Sequence, residues 1–121
     1  MTDWIDGPIR VQLRRTKGWR MPPNTVKVDR STGYGNPWTI RNDGRAGWTV
    51  HGPNTPIGGI ICGNEEGARL RAIDLYRREA QRLGVSAALR GKNLACWCGL
   101  HQLCHADVLL DLANAREKID E

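Results

Sequence analysis

The stretch from Asn64 to Gly84 constrains the fold more than any other, because it reads as one capped amphipathic helix. Asn64 is a side-chain acceptor suited to the N-cap. Glu65 and Glu66 complement the positive end of the helix dipole, and Gly84 suits the residue beyond the last turn. Leu70, Ile73, Tyr76, Ala80 and Leu83 recur at three- and four-residue intervals and predict the buried stripe. Arg71, Arg78 and Arg82 share another face, which reads as solvated. A helix of this kind needs a second layer to cover its stripe.

Strands supply that layer. In "KNLACWC" (92–98) a period of two puts Leu94, Cys96 and Cys98 on one side, Ala95 and Trp97 on the other. "IRVQLRR" (9–15) alternates likewise, with Ile9, Val11 and Leu13 inward and Arg10, Gln12 and Arg14 on a basic outer face. The segment "TKGWRMPPNTVKVDRSTGYGNPW" reads as loop, interrupted by a short extended "TVKVD". "GWTVHGP" predicts another strand, whereas the glycines of "IGGIIC" suit a close backbone approach better than a regular ladder. After "GLHQL" a second helix starts near Cys104 or His105 and runs to about Lys118. Its inward stripe is Val108, Leu109, Leu112 and the stem of Arg116. This order predicts an α/β or α+β fold, a small sheet covered by two main helices at about 64–83 and 104–118. With 121 residues one core is expected. It spans 9–118, between a polar leader (1–8, with Trp4) and a tail (119–121).

The net charge of +5 is unevenly placed. Arg10, Arg14, Arg15, Lys17, Arg20, Lys27 and Arg30 are interrupted by a single acidic residue, Asp29, which points to an anionic partner. Five tryptophans stand where phenylalanine is absent, and their N–H groups favour positions where core meets a site. No apolar run resembles a signal peptide or reaches the length of a membrane span, so a cytoplasmic location without membrane association is expected. In that reducing setting cysteines read as ligands or reactive thiols rather than as disulfides.

Three of the four cysteines and two of the three histidines fall within ten positions, Cys96 to His105. On a strand Cys96 and Cys98 aim their sulfurs to one side, roughly 7 Å apart at Cα. Cys104 and His105 return to them at the helix start. Cys96, Cys98, Cys104 and His105 would then close a tetrahedral Cys3His zinc shell. Adjacent Cys104 and His105 can both ligate only if the backbone there is non-helical, and His101 and Cys62 are alternative ligands. A second reading makes Cys104 a nucleophile, its pKa lowered at the helix N-terminus, with His105 and Asp107 as catalytic partners. Neighbouring helix positions do not face each other, so His101 or His51 would serve Cys104 better as a base. In the plainest reading the cysteines are small core hydrophobes.

"DRSTGYGNPW" (29–38) is the other informative stretch. Gly33 and Gly35 permit close approach, Ser31, Thr32 and Asn36 offer hydrogen-bonding side chains, and Arg30 adds positive charge. Its backbone N–H groups would form an anion-binding nest, with Tyr34 or Trp38 stacking on a ring. No Walker or dinucleotide fingerprint occurs.

These two segments, "VQLRRTKGWRMPPNTVKVDRSTGYGNPW" and "LRGKNLACWCGLHQLCHADVLLDLAN", resemble the bacterial and phage family catalogued as domain of unknown function 4326. The resemblance runs from about Ile9 to Asn114. It pairs a G-N-P turn (Gly35, Asn36, Pro37) with a C-W-C…C-H-x-D segment (Cys96, Trp97, Cys98, Cys104, His105, Asp107). It implies one domain in which the two segments belong together, and no reaction.

The expectation is therefore a small protein with a zinc site beside a basic glycine-rich loop that binds a nucleotide or other phosphorylated ligand. A nucleotide-processing reaction, with Asp107 or His105 handling protons, is compatible with it. A non-enzymatic nucleic-acid-binding module, contacting phosphates through Arg10, Arg14, Arg15, Lys17 and Arg20, is the alternative. A protein-interaction adaptor of phage origin, using exposed tryptophans, is a third.

Overall fold

Three short segments assemble into a parallel sheet in the computed structural model, which describes residues 8–114. They are β1 (Arg10–Gln12), β2 (Thr25–Lys27) and β6 (Asn93–Cys96), in the order β1-β6-β2. Val11 and Val26 flank Ala95 and Leu94 in register. The central strand is covered on both faces, so Leu94, Ala95 and Cys96 are all buried. That is why "LAC" is continuously apolar instead of alternating.

A second sheet lies between β2 and the long helix in sequence. β3 (Thr39–Asn42), β4 (Trp48–His51) and β5 (Ile60–Gly63) form an antiparallel meander in the order β3-β4-β5. The register shifts between Trp48 and Thr49. There Gly47, at φ 74°, approaches the next strand so closely that a Cβ would lie 2.6 Å from the Gly63 carbonyl oxygen. The expected mixed α/β fold with two main helices is present, and its strands are divided between two three-stranded sheets. β3 carries no alternating signal, since only Ile40 of its four residues is even half-buried.

Helix α1 (Glu65–Leu83) begins where Asn64 Oδ1 accepts the Gly67 N–H at 2.7 Å and ends at Gly84, φ 84°. Its buried row is Ala68, Ala72 and Tyr76, with Ile73 beside it, while Leu70 and Leu83 point outward. The expected stripe is therefore rotated. Positions 68, 72 and 76 make one i+4 row, and Leu70 lies about 200° around the helix from Ala68. Two alanines in that row let α1 lie close to the second sheet and to α2 (His105–Ala113). Val28, Val50, Leu89, Leu94, Val108 and Leu109 complete the core between the layers. In α2, Val108 and Leu109 are buried as expected. Residues 115–118 with Arg116, leader residues 1–7 with Trp4, and the tail 119–121 lie outside the described residues.

The basic outer face expected of β1 is also corrected. Ile9 is more than half exposed, whereas the Arg10 side chain is buried, at 7% exposure. Burial is stabilised by two carbonyl acceptors and a carboxylate at the end of β6 and the start of α2.

Candidate metal centre and adjoining cavity

All three parallel strands send their following loops to the same edge of the sheet. In open parallel sheets this carboxyl edge is where ligands bind. Here three ties gather the loops. The His105 ring reaches the Val28 carbonyl beyond β2 at 2.6 Å. The Trp97 indole N–H donates to Asp29 Oδ2 at 2.7 Å. The Arg15 guanidinium, beyond β1, sits 4.8 Å from the centre of the Trp97 ring system.

β6 ends at Cys96, so Cys98 is not on the strand and the period-two argument does not apply to it. The bend after Cys96 nevertheless returns Cys98 to its neighbours. The sulfurs of Cys96, Cys98 and Cys104 all lie within 4.8 Å of one another, with Cys96 and Cys104 at 2.8 Å. All are free cysteines. Three soft donors this close can hold a metal ion. S–H donation from Cys96 and Cys98 lowers the Cys104 pKa against burial, assisted by His105 and the Ala106 N–H. Proton sharing with Cys104 pushes Cys96 and Cys98 up.

Cys104 is the N-cap of α2 and is extended, at φ −148° and ψ 148°. That non-helical backbone brings its Sγ to 3.7 Å from Nδ1 of the adjacent His105. Because the Val28 carbonyl can only accept, Nε2 carries a proton, and Nδ1 is the atom turned to sulfur. Histidines that hold metals are oriented by such second hydrogen bonds. Burial opposes a charge on this ring, but contact with Cys104 and the Val28 carbonyl outweighs it and raises the His105 pKa. The Tyr76 ring meets it edge-on, centroids 5.3 Å apart.

Asp107 does not orient His105. Its Oδ2 lies 3.4 Å from Arg10 Nη1, on the exposed side of α2. Burial lifts its pKa against the pull of Arg10. Arg10 Nη2 donates to the carbonyls of Gly99 (3.0 Å) and Leu100 (2.6 Å). Nη1 is buried with no hydrogen-bond acceptor. Nη1 is instead ion-paired with Asp107, and the Arg10 charge favours the ionised form of Cys98.

The glycine-rich loop divides between two concavities. Arg30, Ser31 and Asn36 line a cavity of about 510 Å³ together with Cys96, Trp97, Cys98, His105 and Arg69. Gly33, Tyr34, Gly35 and Trp38 instead line a separate concavity against the end of α1. Trp38 is buried with its N–H on the Pro53 carbonyl, and the Tyr34 carbonyl accepts from Tyr76. Tyr34 lines only the concavity away from the cysteines, whereas the buried Trp38 also borders a small concavity shared with Arg30, Cys98 and His105. Asn36 serves the fold, accepting the Trp38 N–H at 2.9 Å. Thr32 bonds back to the Asp29 carbonyl. Arg30 Nε is fixed on the Asn36 carbonyl at 2.9 Å.

The alternative ligands lie elsewhere. His51 joins Thr49 and Asp43 on the second sheet, Cys62 sits on β5, and His101 is exposed in its loop. Sequence reasoning missed Asp29, Arg10 and Arg69 as site residues. Asp29 carried a readable signal, since an Asp two residues before a Ser in a glycine-rich turn is a common side-chain cap. Its Oδ1 accepts both the N–H and hydroxyl of Ser31. Burial opposes its ionisation, but the Ser31 and Trp97 hydrogen bonds prevail and lower its pKa.

A family model described as a domain of unknown function, DUF4326, matches residues 11–115. No curated protein and no solved structure matches the chain. Among the described residues no helix is long and apolar enough to cross a membrane.

Proposed function

The chain belongs to the DUF4326 family, defined without an activity, and from its site we propose that it binds a phosphorylated small molecule, a nucleotide fitting best, beside a zinc ion. Cys96, Cys98, Cys104 and His105 Nδ1 would hold the metal. A closed shell of three sulfurs and one nitrogen is a structural site, so zinc would staple the end of β6 to the start of α2. Its excess negative charge would be offset in part by Arg10, whose charge already favours the ionised form of Cys98. The thiol cluster reads as ligands, with Cys104 buried at its centre rather than presented to a substrate.

The observation that carries the reading is the shared cavity, in which Arg30 and the Glu65-paired Arg69 join Cys96, Cys98 and His105 in the lining. Arginine forks match phosphate oxygens in pairs. Arg30 is preset by its bond to Asn36, and Trp97 offers an aromatic wall. The volume suits a ligand of nucleotide size.

Two measurements on tag-free protein test the two halves. Elemental analysis is expected to find one zinc per chain, lost in Cys98→Ser. Metal-free protein of unchanged stability overturns the zinc reading. A thermal-shift panel of nucleotides is expected to give a saturable increase that Arg30→Ala removes. No shift with any nucleotide overturns the ligand reading.

A further inference from the structure

Four of the five arginines on α1 are paired: Arg69 with Glu65, Arg77 with Asp111, Arg78 with Asp74 and Arg82 with Glu79, while Arg71 forms no ion pair among the described residues. Arg14, Arg15, Lys17 and Arg20, in the connection from β1 to β2, are all exposed. None forms an ion pair among the described residues. This connection leaves the sheet at the edge where the cavity opens, and Arg15 covers the half-exposed Trp97 ring that lines it. Four unpaired cations within seven residues, leading to an aromatic face and a one-nucleotide cavity, exceed what a mononucleotide can use.

We infer that the protein binds single-stranded nucleic acid, with the 14–20 segment tracking the phosphate chain, Trp97 stacking one base and the next nucleotide entering the cavity. The inference rests on the cavity reading above and extends it from a free nucleotide to a strand. Stacking on Trp97 requires an unpaired base, and among the described residues these cations lie on no helix that could enter a duplex groove. Arg15 adds a cation over the same ring, the arrangement that also favours bases. RNA and DNA share this chemistry.

The test uses fluorescence anisotropy of the full chain with labelled 12-nucleotide RNA and DNA of mixed sequence, over 50–200 mM salt. If the four cations each neutralise one phosphate, affinity falls about 50-fold across that range, as single strands lose roughly 0.7 ion per contact. Arg14→Ala with Lys17→Ala is expected to flatten the slope by about 1.4. Trp97→Leu is expected to weaken binding about tenfold or more, whereas Trp97→Phe, which loses the Asp29 hydrogen bond but keeps a ring, retains most of it. That split separates stacking from a structural role. Binding that ignores salt, or that survives both Trp97→Leu and the double variant, overturns the inference. So does binding to anionic phosphatidylglycerol vesicles with none to either oligonucleotide. If mononucleotides still raise the melting temperature while neither strand binds, the strand inference fails and the cavity reading stands.

Discussion

Trp97 donates its indole N–H to Asp29 across 2.7 Å and 68 positions of sequence. The bond joins the two segments that look functional, the cysteine-bearing bend after β6 and the glycine-rich loop after β2. Asp29 is nearly buried, and its other oxygen is taken by Ser31. The carboxylate therefore fixes one wall of the cavity to the other.

Asp29→Ala leaves the Ser31 N–H and the Trp97 N–H without their acceptor. Hydrogen bonds to a charged group are worth about 1.5–3 kcal/mol, and the Trp97 side is partly open to water. A loss of about 1–3 kcal/mol in urea unfolding is expected, with a change in tryptophan emission of the folded protein. Unchanged emission and stability would mean that the two loops are held by other means.

Gly35 and Gly33 differ although they share the loop. A Cβ at Gly35 would lie 2.5 Å from the Arg30 Cα, a backbone atom that cannot swing away, whereas at Gly33 nothing comes within 4 Å. Gly35→Ala is expected to cost about 1–3 kcal/mol, as overpacking does, and to displace Arg30 from the cavity. Gly33→Ala is expected to stay within about 0.5 kcal/mol of the parent. Thermal denaturation of the two variants side by side checks this, and equal effects would refute the assignment of Gly35 to a close turn.

The elements legible in the sequence were those with local signals. Asn64 and Gly84 mark the ends of α1 because caps act through neighbouring backbone groups. Cys104 marked the start of α2 for the same reason. What was not legible depends on distant partners. Arg10 alternates like a surface residue, and only the carbonyls of Gly99 and Leu100, about ninety positions away, explain its burial. A strand continuing through Cys98 would set Trp97 on the face opposite the cysteines. The chain bends after Cys96, and Trp97 joins the cysteine cavity. Tyr34 and Trp38 read as stacking rings from their place in the loop; Tyr34 packs toward α1, and Trp38 also borders a small concavity with Cys98 and His105.

Acid sensitivity should arise at the second sheet. Asp43 accepts from Thr49 at 2.5 Å, from Arg41 at 2.9 Å and from His51 at 3.2 Å. The Thr49 bond chiefly, aided by His51 and Arg41, holds its carboxyl down to about 2 from the ordinary 3.8. The folded value lies below the unfolded one, so ionised Asp43 favours the folded state above about pH 4. That contribution disappears as the pH falls from about 4 to about 2. Asp43→Asn is expected to lower stability at neutral pH and to flatten the stability curve within that window. Parallel curves for parent and variant would show that Asp43 is not the group responsible.

The last prediction concerns Arg10, whose guanidinium holds the loop after β6 through two carbonyls while Nη1 pairs with Asp107 at 3.4 Å. Arg10→Leu keeps bulk but removes both charged hydrogen bonds, each worth about 1.5–3 kcal/mol, so a loss of at least about 2 kcal/mol is expected. It also removes a positive charge that favours the ionised form of Cys98. If the cysteine cluster holds zinc, chelator-driven release from Arg10→Leu is expected to be faster than from the parent. Arg10→Lys, which retains charge without the planar fork, should fall between them. Zinc release followed with a chromogenic chelator, beside urea unfolding of the same variants, separates the electrostatic from the tethering role. Equal release from all three proteins with a large stability loss would leave Arg10 as a loop tether alone.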